Sequence, residues 1–99
     1  MSGAPDQSVA LPAGTDLTKE TVLAGRVLAD GSPVGGAFVR LLDGTGEFTA
    51  EVVASASGDF RFFAAPGTWT LRALSRSGNG ETEVTAEGPG LHTTELPVA

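Results

Sequence analysis

From Glu20 onward, apolar and β-branched residues alternate with polar ones in short runs, and each run stops at a cluster of Gly, Pro, Asn, Asp or Ser. A period of two marks half-buried strands, because successive Cβ atoms point to opposite faces of a sheet. Thr21–Leu28 is the first such run and ends at Asp30-Gly31-Ser32-Pro33, residue types that supply turn dihedrals. Ala37–Leu42 stops at Asp43-Gly44-Thr45-Gly46, and Glu47–Ala54 stops at Ser55-Ala56-Ser57-Gly58-Asp59. Phe60–Ala64 and Thr68–Leu74 follow, separated by Pro66-Gly67. Ser77-Gly78-Asn79-Gly80 reads as a hairpin turn, since Asn-Gly accepts positive φ at both central positions. Glu81–Glu87 and Leu91–Val98 complete the set. No segment carries a helical period of 3.6, so the pattern predicts an all-β fold, a seven-stranded Greek-key β-sandwich.

The parity of each run predicts the core. Leu23, Gly25 and Val27 point inward, as do Ala37, Val39 and Leu41, then Phe48, Ala50 and Val52, Phe60 and Phe62, and Trp69, Leu71 and Ala73, with Val84, Leu96 and Val98 completing the interior. So small a core is expected to depend on Phe60, Phe62 and Trp69. Residues 1–19 show neither period and are expected to be a flexible N-terminal tail ahead of a sandwich domain over residues 20–99.

Composition narrows the chemistry. The 99 residues fit one domain, with abundant Thr and Val favouring strands and Gly 14 and Pro 6 favouring tight turns. Cys 0, Tyr 0 and a lone His92 leave no thiolate nucleophile, no disulfide framework and no Cys/His zinc site, so no cofactor and no catalytic residue are expected. A net charge of −6 opposes binding to phosphate backbones or anionic lipid, so nucleic acid and membranes are not the expected partners. No basic start with an apolar run behind it and no long apolar stretch occurs, which points to a cytoplasmic protein.

The spacing Gly25-Arg26-Val27, Gly35-Gly36-Ala37-Phe38-Val39-Arg40-Leu41, Gly58-Asp59-Phe60-Arg61-Phe62 and Pro66-Gly67-Thr68-Trp69-Thr70-Leu71 resembles the carboxypeptidase regulatory-like domain, a transthyretin-like sandwich. Its motif residues are structural and imply a fold, not a reaction. The blocks Arg40-Leu41-Leu42-Asp43, Glu47–Val53 and Gly58–Leu74 resemble small actinobacterial proteins called SseC-like, a domain of unknown function. That resemblance implies an accessory role in sulfur metabolism beside a thiosulfate sulfurtransferase. Members tend to begin Met-Cys-Gly-Ala, whereas this chain begins Met1-Ser2-Gly3-Ala4. A cysteine at that position could accept a persulfide, which Ser2 cannot; the plainer account of Ser2 is a small residue that permits removal of Met1.

The residues themselves offer a second, non-enzymatic reading. Arg26, Arg40, Arg61 and Arg72 lie out of phase with the core and face outward, and Phe38, Leu42, Phe63 and Leu74 share that parity. Arginines beside apolar surface suit a protein-binding or small-anion-binding module, with Arg26, Arg40, Arg61, Arg72, Phe38 and Phe63 as its residues. Solvated ion pairs with Asp43, Glu47, Glu51 or Asp59 are the plainer account of the same arginines. A hydrolase of the transthyretin-like fold is the weakest reading: His92 has no Gly-x-Ser-x-Gly elbow, and the chain ends Glu95-Leu96-Pro97-Val98-Ala99 where hydroxyisourate hydrolases end Tyr-Arg-Gly-Ser. Oligomeric state is left open.

Overall fold

A computed structural model of the chain describes Leu11 and residues 13–99. Among these residues eight strands occur: β1 (Thr21–Ala29), β2 (Ser32–Pro33), β3 (Phe38–Leu42), β4 (Phe48–Val53), β5 (Asp59–Phe63), β6 (Gly67–Ser75), β7 (Gly78–Ala86) and β8 (Gly90–Pro97). Seven match the expected runs, and β2 is a two-residue extra. One sheet is built around β1, with β5 and then β2 antiparallel along one side and β8 parallel along the other. The second sheet is antiparallel throughout, in the order β4-β3-β6-β7. No helix among the described residues is long and apolar enough to cross a membrane.

The two sheets pack face to face, and the core lies between them as the alternation requires. Leu23, Val27, Phe60, Phe62, Leu96 and Val98 come from the β1 sheet and meet Val39, Leu41, Val52, Leu71, Ala73 and Val84 from the other. Phe60 and Phe62 share the inner face of β5 with ring centroids 6.3 Å apart, tilted by 55°, a favourable aromatic arrangement. Asp30 and Gly31, at φ of 55° and 80°, form the tight turn between β1 and β2, the conformation that Asp-Gly favours.

Four details differ from the sequence expectation. The β3–β4 ladder pairs Leu41 with Ala50 but Leu42 with Phe48, so Thr49 is an extra residue in a β-bulge. That bulge shifts Phe48 out of phase with Ala50 and Val52, and Phe48 is 61% exposed instead of buried. Leu42, expected outside, is only 6% exposed, flanked by Phe48 on one strand and Thr70 on the other. Trp69 is half-buried against the core instead of inside it, and its indole N–H donates to the Ala65 carbonyl at 2.9 Å. Finally, the β6–β7 turn is Arg76-Ser77, not Asn79-Gly80, which pair within the ladder with Leu74 and Ala73. Glycine is needed at position 80 because a Cβ there would overlap the Pro97 carbonyl oxygen.

Of the expected tail, residues 1–10 and 12, Ser2 among them, lie outside the described residues. Close to β1 the chain makes a turn in which the amides of Lys19 and Glu20 donate to the Asp16 carbonyl at 3.0 and 2.8 Å. The Thr18 hydroxyl and amide both donate to Asp16 Oδ1, which holds that carboxyl below its usual range.

Candidate functional site

Strand alternation places all four candidate arginines on outer faces, but the sheet topology divides them. Arg26 and Arg61 lie on the β1 sheet, whereas Arg40 and Arg72 are direct register partners on β3 and β6. Phe63 belongs with the first pair, beside Val22 and, one strand further, Leu91. Phe38 belongs with the second, beside Leu74. The six candidate residues therefore form two surfaces on opposite sides of the sandwich, not one site.

Most of this positive charge is locally compensated. Arg26 Nε lies 3.4 Å from Asp59 Oδ1, Arg40 Nε donates to Glu51 Oε2 at 2.8 Å, and Arg72 Nη2 donates to Glu81 Oε2 at 2.7 Å. In the ladder Glu51 stands opposite Arg40 and Glu81 opposite Arg72, so a Glu–Arg–Arg–Glu row crosses all four strands of the second sheet. The next row carries Val53, Phe38, Leu74 and Asn79, with Phe38 49% exposed. An apolar strip therefore borders a charge-balanced one.

Beyond the apolar row the molecule has an open cleft of about 980 Å³, between the β2–β3 connection and the β6–β7 turn. Pro33 and Gly36 line one side; Leu74, Arg76 and Asn79 line the other, with Phe38 between them. Ser75 shapes the turn: its hydroxyl donates to the Gly78 carbonyl at 2.7 Å and accepts from the Ser77 amide at 3.1 Å. Arg76 is the one ionisable side chain lining the cleft, is exposed, and has no carboxylate partner among the described residues. The sequence expectation passed over Arg76 because it lies between strands, where parity assigns no face. The available signal was its being the arginine outside every predicted strand.

The remaining polar candidates have structural duties. His92 Nε2–H donates to the Gly88 carbonyl at 2.9 Å, and Thr21 Oγ1 donates to the same oxygen at 3.2 Å, which ties the β7–β8 connection to β1. Asp43 Oδ1 accepts from the Thr45 hydroxyl at 2.6 Å and from the amides of Thr45 and Glu47 at 2.8 and 3.0 Å, so its carboxyl is held below the usual range, chiefly by the Thr45 hydroxyl. Among the described residues no three His, Cys, Asp or Glu side chains gather where they could hold a metal ion.

Residues 2–98 match the family described as "Protein of unknown function (DUF1416)". The uncharacterized protein Rv0814c of Mycobacterium tuberculosis is 62% identical over 99 residues, 99% of each chain. An uncharacterized protein of Mycolicibacterium smegmatis is 67% identical over 90 residues, 90% of this chain and 100% of that one. Among solved structures, a DUF3823 family protein from Parabacteroides merdae superposes with a TM-score of 0.62 at 17% identity, over 82% of this chain and 46% of that one. Catechol 1,2-dioxygenase from Pseudomonas arvilla superposes with a TM-score of 0.63 at 13% identity, over 99% of this chain and 59% of that one. These likenesses place the fold among β-sandwich domains and carry no activity across.

Proposed function

This chain belongs to the DUF1416 family, and we propose that it acts without catalysis, as a small accessory module that docks on a partner protein through the outer face of the β4-β3-β6-β7 sheet. The observation that carries this reading is the half-exposed Phe38 beside Leu74, one row from the cross-strand pair Arg40 and Arg72. Protein interfaces favour aromatic and arginine side chains in this combination, with the guanidinium groups already positioned by neighbours. Because Glu51 and Glu81 balance the arginines, the face is not a general anion trap.

The resemblance to SseC-like proteins supplies the partner to test, a thiosulfate sulfurtransferase, and with it a role in sulfur metabolism. A hydroxyl at Ser2 cannot carry sulfane sulfur, so in this chain the association works by binding and not by sulfur relay. The test is sedimentation of the full chain mixed with a thiosulfate sulfurtransferase. A complex is expected for the wild-type chain and lost for Arg40→Ala/Arg72→Ala, whose melting temperature should stay close to that of the wild type. No complex with the wild type rejects the partner, and a complex undiminished by the double substitution rejects the face.

A further inference from the structure

We propose that the cleft between the β2–β3 connection and the β6–β7 turn is a binding site for a small organic carboxylate with a flat apolar body. Its volume of about 980 Å³ lies at the upper end of the roughly 300–1,000 Å³ typical of small-molecule sites. The chain carries a net charge of −6, yet the single charge on the wall of this cleft is the Arg76 guanidinium. Arg26, Arg40 and Arg72 each have a carboxylate within 3.4 Å, whereas Arg76 has none among the described residues, which leaves its guanidinium available to an anion entering the cleft. A guanidinium presents paired N–H donors that match a carboxylate in a bidentate geometry.

The other walls define the rest of the ligand. Phe38 and Leu74 are register neighbours and present a continuous apolar surface, suited to the face of a planar group. Asn79, next in the same row, is exposed and adds a carboxamide donor on the Arg76 side. Gly36 contributes backbone without a side chain, and the space a Cβ would enter there is empty, so a ligand can approach the wall closely. One guanidinium balances a monoanion. A phosphate dianion would keep an uncompensated charge in the field of an acidic protein, which selects carboxylate over phosphate.

The cleft shares Phe38 and Leu74 with the docking face but not Arg40 or Arg72, and the inference stands if no sulfurtransferase binds. It is tested by titrating the isotope-labelled full chain with 2-naphthoate and following backbone amide shifts, with 2-naphthamide, acetate and inorganic phosphate as comparison probes. Saturable shifts are expected at residues 34–38 and 74–79. Binding should weaken about tenfold or more for the neutral amide and for acetate, and by a similar factor in Arg76→Gln. Arg76 is an exposed turn residue and Phe38 is half-exposed, so Arg76→Gln and Phe38→Ala should both keep the fold, and loss of binding in either reports the site. Shifts confined to other residues, equal binding of naphthamide, preference for phosphate, or wild-type affinity in Arg76→Gln would each overturn the proposal.

Discussion

Arg40 and Arg72 stand directly opposite each other across β3 and β6, and each is held from its far side by a glutamate. Like charges facing each other in a ladder are destabilising, so Glu51 and Glu81 offset a repulsion that the fold itself creates. Glu51→Gln/Glu81→Gln is expected to lower stability by about 1 kcal/mol at low ionic strength, since each exposed pair contributes little alone. The deficit should shrink in about 1 M salt, where the screening length falls to about 3 Å. Arg40→Ala/Arg72→Ala removes the repulsion together with the pairs and should stay within about 1 kcal/mol of wild type. Urea unfolding at two salt concentrations checks both, and a deficit that salt leaves untouched would contradict the charge argument.

Gly25 and Phe60 are register partners on β1 and β5, and the Phe60 ring occupies the space a side chain at Gly25 would need. A Cβ there would come within 2.8 Å of Phe60 Cζ and would also overlap the Thr94 carbonyl oxygen. Gly25→Ala is therefore expected to cost about 1–3 kcal/mol as overpacking, and Phe60→Ala about 3–5 kcal/mol as a cavity. Phe60→Leu should relieve only part of the Gly25→Ala penalty, because the Thr94 backbone cannot move aside as a ring can. Full recovery in the double variant, read by urea midpoint at constant m, would contradict this packing.

These relationships show what local pattern can and cannot carry. Alternation alone located Leu23, Val27, Val39, Leu41, Phe60, Phe62, Leu71, Ala73 and Leu96 in the core, because a strand with one buried face leaves its parity in the chain. The bulge at Thr49 leaves no such trace: no Gly or Pro marks it, and its effect on Phe48 and Leu42 arises only when β4 pairs with β3. Asn79-Gly80 has the composition of a turn, yet Gly80 is required by the approach of Pro97, a residue that only the long-range packing of β8 brings there. Outward parity was readable for the arginines, but which of them share a face depends on strand order. The cleft around Arg76 combines the β2–β3 connection, which crosses between the sheets, with the β6–β7 turn of the second sheet, which no periodicity within one strand encodes.

Trp69 illustrates the energetic consequence. Truncating a fully buried aromatic to Ala costs about 3–5 kcal/mol, the loss to expect if Trp69 lay inside the core as its strand parity predicts. The indole is half-buried and retains its N–H bond to Ala65, so Trp69→Phe keeps most of the apolar contact and loses one hydrogen bond. It should cost about 1 kcal/mol, well below Phe60→Ala. Circular dichroism melts of the two variants side by side decide it, and equal losses would place Trp69 inside the core.

Asp43 organises the β3–β4 turn through three hydrogen bonds to one carboxylate oxygen, which are strongest to the ionised form. Its folded pKa lies below the unfolded value of about 4, so its contribution is present above that value and disappears as pH falls through the lowered folded pKa. Asp43→Asn should therefore be less stable than wild type at pH 7, and the gap should narrow on acidification below about pH 4. Melting temperatures of both proteins across pH 2–7, on the order of one point per unit, provide the check. A gap independent of pH would assign the role of Asp43 to shape and not to charge.

The proposed role in sulfur metabolism can be tested at position 2, where this chain carries Ser2 and SseC-like proteins tend to carry cysteine. In a Ser2→Cys chain the thiolate would attack the outer sulfur of the persulfide on a thiosulfate sulfurtransferase; one S–S bond breaks, another forms, and the enzyme thiol is released. Intact-mass spectrometry after incubation with the sulfurtransferase and thiosulfate is expected to show a gain of one sulfur atom in the cysteine-bearing chain, none in the Ser2 chain, and none without the enzyme. If docking through Arg40 and Arg72 brings the two proteins together, adding Arg40→Ala/Arg72→Ala to Ser2→Cys should slow that gain. A gain of equal rate in the triple variant would separate sulfur transfer from the docking face. No gain in a mixture that nevertheless sediments as a complex would leave a binding partner and remove the sulfur step.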